Sequence, residues 1–228
     1  FNGKLTAYGA ALIAKEGGYA LGEPQLFALE EMDVVMLRQN PPFNMQYITS
    51  TYMLEYLPKR VKVLNNPASV RNYPEKLFPL EFREFIPPTL VSFYADAITA
   101  FHREHQDIVL KPLYGNGGRG VFRVGPEGAN LRALLDMMLA DAREPLVVQK
   151  FVPEVYMHER RVIILHGKVA AAIGRIPAAG EIRANLVRGG EAIAVELTPR
   201  QRAVSEAVAQ VSAQLGLAFV GLDLIGDY

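Results

Sequence analysis

The segment Tyr114-Gly115-Asn116-Gly117-Gly118-Arg119-Gly120 lies between two short apolar runs, Ile108 to Pro112 and Val121 to Val124. Each run has the length and composition of a β-strand. Two strands around a glycine-rich loop make a hairpin. The loop is not a P-loop, because no Gly-Lys-Ser/Thr follows and no helix opens after it. It is not a dinucleotide fingerprint either, because a strand comes next. Four glycines in six positions can still bring backbone N–H groups close to an anion. Arg119 adds a charge that cannot be titrated away. Alone, such a loop is more often a plain flexible connection.

Its surroundings shift that balance. Lys111 ends the strand before the loop, where a lysine after three apolar residues either reaches solvent or faces a ligand. Lys76 sits in Glu75-Lys76-Leu77-Phe78, ahead of the same unit. Two lysines and a glycine loop around one small sheet suit a polyphosphate. The stretch Val147-Val148-Gln149-Lys150-Phe151-Val152-Pro153 reads as a strand running into extended backbone. It is either an ordinary edge strand or a surface whose free backbone groups meet a ring, with Phe151 packing beside it. Further on, Glu159-Arg160-Arg161 opens a strand, Arg175 follows the next, and Arg183, Asn185 and Arg188 lie in a loop closed by Gly189-Gly190. Arginine suits bidentate recognition of carboxylate and phosphate. Arg161 and Arg175 border apolar strands, which favours convergence over scattered surface charge. Asp223 stands inside Phe219-Val220-Gly221-Leu222-Asp223-Leu224-Ile225. A carboxylate in so apolar a strand is costly unless paired, bonded to backbone or bound to a hard cation such as Mg²⁺.

Composition limits the chemistry. The 228 residues carry 24 Lys and Arg against 24 Asp and Glu, a net charge of zero. That argues against a general nucleic-acid binder, although a local basic cleft fits within it. There is no cysteine, so disulfides, thiolate nucleophiles and Cys-based zinc sites are excluded. Four histidines make a His-rich metal site a poor expectation. No run reaches the length of a membrane-spanning helix. Phe1-Asn2-Gly3 does not open a signal peptide. A soluble cytoplasmic protein is expected.

Along the chain, residues 1–30 are weakly patterned. Met32 to Leu37 predicts a buried strand that ends in the loop Arg38 to Pro42. Thr49 to Leu57 predicts a helix, and Val61 to Leu64 a second strand, together one α/β repeat. Pro67 to Pro88 reads as broken helical pieces. Residues 88–151 read as a small α+β unit with an antiparallel sheet: strands at Pro88 to Ser92, Ile108 to Pro112, Val121 to Val124 and Leu146 to Phe151, helices at Ala95 to Glu104 and Leu131 to Ala142. Arg161 to Leu165 and Lys168 to Ile173 predict a hairpin across His166-Gly167. Ile182 to Gly190 is loop-like. Pro199 to Leu215 predicts a helix capped by Thr198 and ended by Gly216. Ala218 to Ile225 predicts a strand.

Taken together, these segments resemble the ATP-grasp superfamily and, within it, the bacterial-type glutathione synthetases. The resemblance runs from about Asp33 to the end of the chain. It rests on Met36-Leu37-Arg38-Gln39-Asn40-Pro41-Pro42-Phe43, Asn65 to Ser69, Glu75 to Phe78, Val109 to Gly120, Arg175-Ile176-Pro177, Glu181 to Asn185 and Phe219 to Asp227. It implies α/β and α+β architecture: an ATP-grasp fold with a truncated N-terminal α/β (pre-ATP-grasp) domain. The implied units are a substrate domain at 1–70, a small ATP-grasp subdomain at 71–152 and a C-terminal subdomain at 153–228. It implies an ATP-dependent ligase that joins γ-glutamylcysteine to glycine through an acyl-phosphate. The alternatives are a ligase for another peptide carboxylate and a nucleotide-binding module without catalysis.

The resemblance also implies roles. ATP phosphates would meet Lys76 and Lys111, under a lid of Gly115, Asn116, Gly117, Gly118 and Arg119. Gln149, Lys150, Phe151 and Val152 would hold the adenine, and Glu159 the ribose. Arg161, Arg175 and Arg183 would be catalytic. Arg38, Arg175, Arg183 and Asn185 would bind the peptide, and Asp223 would bind Mg²⁺ or Mn²⁺. Expected partners are small molecules, without nucleic acid or membrane, in a homo-oligomer. In the family the pattern continues past Gly226-Asp227 with a Glu-x-Asn, and an Asp is usual where Asn40 stands. The chain is therefore expected to be most of such a ligase, lacking both ends.

Overall fold

The computed structural model describes residues 4–140, 144–156, 159–176 and 191–228. The chain opens with four short strands: β1 (Thr6–Gly9), β2 (Leu12–Lys15), β3 (Gly18–Leu21) and β4 (Gln25–Ala28). β1 pairs with β4 and β2 with β3, both antiparallel. The sequence shows no such pattern, and the reason is exposure. β2 is exposed along its whole length, so no buried face imposes an alternation of apolar and polar residues.

The expected α/β repeat follows. β5 (Val34–Met36) and β6 (Lys62–Leu64) pair in parallel, with helix α1 (Met45–Leu54) between them. The helix starts four residues before the predicted Thr49 because Asn44 caps it, accepting from the Tyr47 amide at 3.0 Å. Helix α2 (Pro67–Asn72) starts the same way from Asn66, with proline in its first turn. Short 3₁₀ turns then run from Phe78 to Phe85.

The second unit comprises β7 (Thr89–Ser92), α3 (Ala95–His105), β8 (Ile108–Pro112), β9 (Phe122–Val124), α4 (Leu131–Leu139) and β10 (Leu146–Lys150). The strand order is β7-β10-β8-β9, antiparallel throughout. β10 is thus an inner strand, not the edge strand of the plain sequence reading. Period-two alternation gives this sheet two unlike faces. Ile108, Leu110, Leu146 and Val148 pack with Ile98, Leu131 and Leu135 of the helices into a buried core. Thr89, Gln149, Val109 and Lys111 fall on the opposite face by register.

The third unit comprises β11 (Glu159–Leu165), β12 (Lys168–Ile176), β13 (Glu191–Ala194), α5 (Pro199–Gln214) and β14 (Phe219–Ile225). Its order is β13-β12-β11-β14, again antiparallel. Thr198 and Gln201 form a reciprocal capping box at the start of α5. Gly216 follows the helix at φ +70°, a left-handed conformation that glycine adopts without strain. The helix covers one sheet face through Val204, Val208 and Ala209, packed on Val162, Ile164 and Leu224. The four-residue β13, half of it alanine, carries little sequence signal. Among the described residues, no helix is long and apolar enough to cross a membrane.

One side chain fastens the first unit to the third. Asn65 donates from Nδ2 to the Phe219 carbonyl at 2.8 Å and accepts on Oδ1 from the Phe219 amide at 2.7 Å. A carboxamide offers a donor and an acceptor side by side, so it pairs with β14 much as a neighbouring strand would. The Asn66 amide donates to Gly216 O at 3.1 Å, and Ser69 Oγ donates to Leu215 O. Replacing Asn65 with alanine leaves the Phe219 amide and carbonyl without these partners. The expected loss is about 1–3 kcal/mol of unfolding free energy, read as a lower urea midpoint. An unchanged midpoint would show that the clasp adds nothing.

Candidate functional site

The open face of the small sheet holds a relay of polar side chains. Lys111 Nζ donates to Gln149 Oε1. Gln149 Nε2 donates to Thr89 Oγ1 at 2.9 Å, and Thr89 Oγ1 donates to Pro87 O at 2.7 Å. Beside it, Lys76 Nζ donates to Leu113 O at 3.2 Å and to Gly115 O, so it bridges the two ends of the turn that follows β8. Both ammonium groups therefore rest on neutral oxygens. Burial pushes the Lys111 pKa down, and the charge of Lys76 pushes it further, while Glu75 works against both. Burial also lowers Lys76, with Glu75 opposing.

The glycine loop stands next to this pair. Gly117, Gly118 and Gly120 have φ of +59°, +73° and +68°. At Gly120 a Cβ would come within 2.9 Å of the Pro112 ring, so a side chain is excluded twice there. Glu75, Lys76, Pro112 and the loop from Gly115 to Arg119 line a cavity of about 70 Å³. At the loop's base, Tyr114 stacks on Phe43 with ring centroids 5.4 Å apart. The Pro-Pro-Phe segment of the first unit thus touches the loop of the second.

The third unit presents Arg161 and Asp223 on the sheet face opposite α5, as register partners on β11 and β14. They form a bidentate pair, with Arg161 Nη2 donating to Asp223 Oδ2 at 2.7 Å and Nε donating to Oδ1. The Asp223 side chain is 45% exposed. Of the outcomes the sequence leaves open for Asp223, the described residues show pairing, with Arg161, and alternation turns Leu224 inward and Asp223 outward. Burial works against the charge on Arg161. The hydrogen bond and charge of Asp223, aided by Glu159 and Glu75, outweigh it and raise the pKa. Glu75 thus acts on Lys76, Lys111 and Arg161 alike, a sign that these groups share one region. The sequence reading gave Glu75 no role, and nothing in the sequence distinguishes it from a surface acid.

Other expected residues are placed less closely together. The Arg38 guanidinium lies 5.0 Å from the centre of the Phe219 ring. Phe151 lies under the guanidinium of Arg123, 3.8 Å from its ring centre. The free amides expected near the end of β10 are not found at two positions: the Lys150 N–H donates to Pro88 O at 3.0 Å and the Phe151 N–H to Asp107 O at 2.8 Å. Lys150 is exposed at the end of β10, Val152 follows half-buried, and Glu159 opens β11 opposite Ile225. Arg175 lies in β12, two residues along from Ile173, the register partner of Arg161. Arg183, Asn185 and Arg188 lie outside the described residues. Among the described residues, no three His, Asp or Glu side chains form a metal-ligand cluster.

Gly221 is a position the sequence reading passed over. A Cβ there would stand 3.0 Å from Arg161 Nη1, because the guanidinium crosses this residue on its way to Asp223. Gly221→Val is expected to push Arg161 off its partner. The protected Nε–H resonance of Arg161 should then be lost, with little change in core methyl signals. A retained resonance would mean that the pair tolerates a side chain there.

A family model described as the prokaryotic glutathione synthetase ATP-grasp domain matches residues 75–228, and one for the N-terminal domain of the same enzymes matches residues 2–71. A glutathione synthetase of Rhodopseudomonas palustris is 48% identical over 210 residues, which cover 92% of this chain and 67% of the relative. The chain thus spans about two thirds of that relative's length. Two solved structures share the fold. The D-cycloserine synthetase DcsG has a TM-score of 0.65 at 19% identity, covering 87% of this chain and 73% of that one. The ATP-grasp ligase PsnB, complexed with a variant of its minimal precursor, Mg and ADP, has a TM-score of 0.62 at 17% identity, covering 97% and 73%. The order of units, the antiparallel sheets and the cation-lined glycine loop agree with these likenesses, and the chain belongs to the prokaryotic glutathione synthetase family, with an ATP-grasp fold.

Proposed function

We propose that the protein joins γ-glutamylcysteine to glycine at the expense of ATP, giving glutathione, ADP and phosphate. The observation that carries this reading is the pair of ammonium groups beside the glycine loop. Among the described residues, Lys76 and Lys111 are held by neutral oxygens, which phosphate oxygens can replace without breaking an ion pair.

In the proposed reaction, a substrate carboxylate oxygen bonds to the γ-phosphorus of ATP as the bond to the bridging oxygen breaks and ADP leaves. The glycine amine then bonds to the acyl carbon, phosphate departs with its oxygen, and the surplus amine proton goes to solvent. We assign Lys76, Lys111 and Arg161 to the phosphates, under the loop Gly115, Asn116, Gly117, Gly118 and Arg119. Positioning and charge neutralisation do most of the work in such transfers. No protein nucleophile is needed, in keeping with a chain that has no cysteine. We assign the adenine to Gln149, Lys150, Phe151 and Val152. Because two of their amides are committed elsewhere and the Val152 carbonyl accepts from the Val155 amide, side-chain packing and the Val152 N–H are assigned that contact. Glu159 is assigned to the ribose, and Arg38, Arg175, Arg183 and Asn185 to the peptide and its acyl-phosphate. The ATP-grasp halves are assigned to residues 71–152 and 153–228.

ATP-grasp ligases act with a divalent metal, and we take it to be Mg²⁺, with Mn²⁺ as a substitute. A magnesium ion shared with ATP phosphates needs only one or two protein carboxylates. Asp223 can supply one: its side chain is 45% exposed, and a carboxylate oxygen has a lone pair beyond the one that Arg161 uses. When bound, the ion neutralises charge on the transferring phosphoryl group.

ADP release, followed by a coupled assay, is expected only when both γ-glutamylcysteine and glycine are present. Release with a different peptide carboxylate would move the assignment to another ligase. ATP binding without turnover in the full-length protein would reduce it to a nucleotide-binding module. Arg183→Ala is expected to cut kcat by about tenfold or more while changing ATP affinity by less than about twofold. An unchanged rate removes Arg183 from the site. Burial and Lys76 lower the Lys111 pKa from its ordinary 10.5. ATP affinity is therefore expected to fall as pH rises through that lowered value, with proton uptake on binding there. Calorimetry in two buffers of different ionisation enthalpy measures that uptake.

A further inference from the structure

We propose that Thr89 is a positioning residue for nucleotide binding: its hydroxyl locks the Gln149 carboxamide in the one orientation that turns Oε1 onto the Lys111 ammonium. The proposal rests on the function given above for its ligand, although the lock itself is a property of the free protein. The three side chains belong to adjacent strands. Gln149 is the register partner of Thr89 on β7 and of Val109 on β8, and Lys111 lies two residues beyond Val109 on the same face.

A carboxamide is nearly symmetric in shape, so sterics alone do not choose between its two flipped forms. Thr89 makes the choice. Its single proton goes to Pro87 O at 2.7 Å, which leaves only lone pairs to offer Gln149. Only an N–H can meet them, and Nε2 does so at 2.9 Å. Oε1 must then face the other way, where it accepts from Lys111 Nζ. The flipped amide would set an oxygen against a hydroxyl lone pair and an NH₂ against an ammonium, two repulsive contacts in place of two hydrogen bonds. The charged neighbours acting on Lys111 are Lys76, which repels it, and Glu75, which attracts it. The amide oxygen is the neutral acceptor that fixes the ammonium between them. Thr89 lies two strands away from Lys111 and acts through Gln149.

Thr89→Val keeps the shape and removes the hydroxyl. In the free protein, titration of Lys111 followed by NMR of its ¹³Cε signal is expected at lower pH than in the wild type, because the ammonium has lost its oriented acceptor. ATP affinity is expected to fall about tenfold, with kcat changed less. Thr89→Ser should restore both. Gln149→Met should lower the Lys111 titration in the same direction, and adding Thr89→Val to it should change nothing more, since Thr89 then has no amide to orient. Should Thr89→Val fail to fold, Thr89→Ala enters the same cycle. The proposal is overturned if Lys111 titrates in the variant as in the wild type, or if the Thr89 substitution still shifts Lys111 when Gln149 is methionine. Neither readout needs a ligand, so a wild type that fails to bind ATP would sink the function above and still leave the lock decided.

Discussion

The structure depends on holding like charges together without spending them on each other's opposites. Lys76 and Lys111 repel one another and are both partly buried, and each effect works against their charge. Two direct ion pairs would relieve the repulsion, but they would also fill the places a phosphate needs. The fold uses backbone carbonyls and one amide oxygen instead, and among the described residues Glu75 acts on Lys76, Lys111 and Arg161 alike from the side. Dipoles of this kind hold a cation in position at low cost to its later binding of an anion. Arg161 is treated differently. It is tied to Asp223 in a two-point pair, and Gly221 leaves room for it to lie flat along the strand.

This arrangement explains why the two sheets are built alike. Each is antiparallel, each has one face covered by helix, and Lys111 in one and the Arg161–Asp223 pair in the other lie on the opposite face. The sealed faces supply the hydrophobic stability. The open faces are then free to carry residues that a core would reject. Alternation along β8 alone places Ile108 and Leu110 in the core and Lys111 outside it. One residue of slip would bury the lysine and expose both apolar residues. Register is therefore the property that keeps fold and site consistent.

Much of this was legible before any coordinates. Short apolar runs identified β8, β11 and β14, the Thr198 cap and Gly216 bounded α5, and the glycine loop announced the hairpin between β8 and β9. What escaped was structure with no buried face, such as β1 to β4, and contacts that depend on register between distant strands. Lys111 could be singled out by its place after three apolar residues. That its partner is Gln149, and that Thr89 orients Gln149, follows from pairings across 38 and 60 residues. For Asp223 the sequence left pairing, a backbone bond and a metal open, and could not choose between them for a local reason. Its neighbours in sequence are apolar, but alternate residues of a strand face opposite ways, so they do not describe its surroundings. Glu75 and Gly221 escaped because a single acid and a single strand glycine have many ordinary explanations.

The clasp between Asn65 and Phe219 has a consequence for synthesis. The two residues are 154 positions apart. At about 5–20 residues per second, Asn65 emerges from the ribosome about 8–30 seconds before its partner. Even in the finished fold the ribbon of β5 and β6 leaves Val34 and Met36 about half exposed, and a ribbon of two short strands is barely stable by itself. The first unit therefore waits, incompletely fastened, until the last strand described here is made. The number of chains in that interval is set by how often synthesis starts, not by the stability of the finished fold.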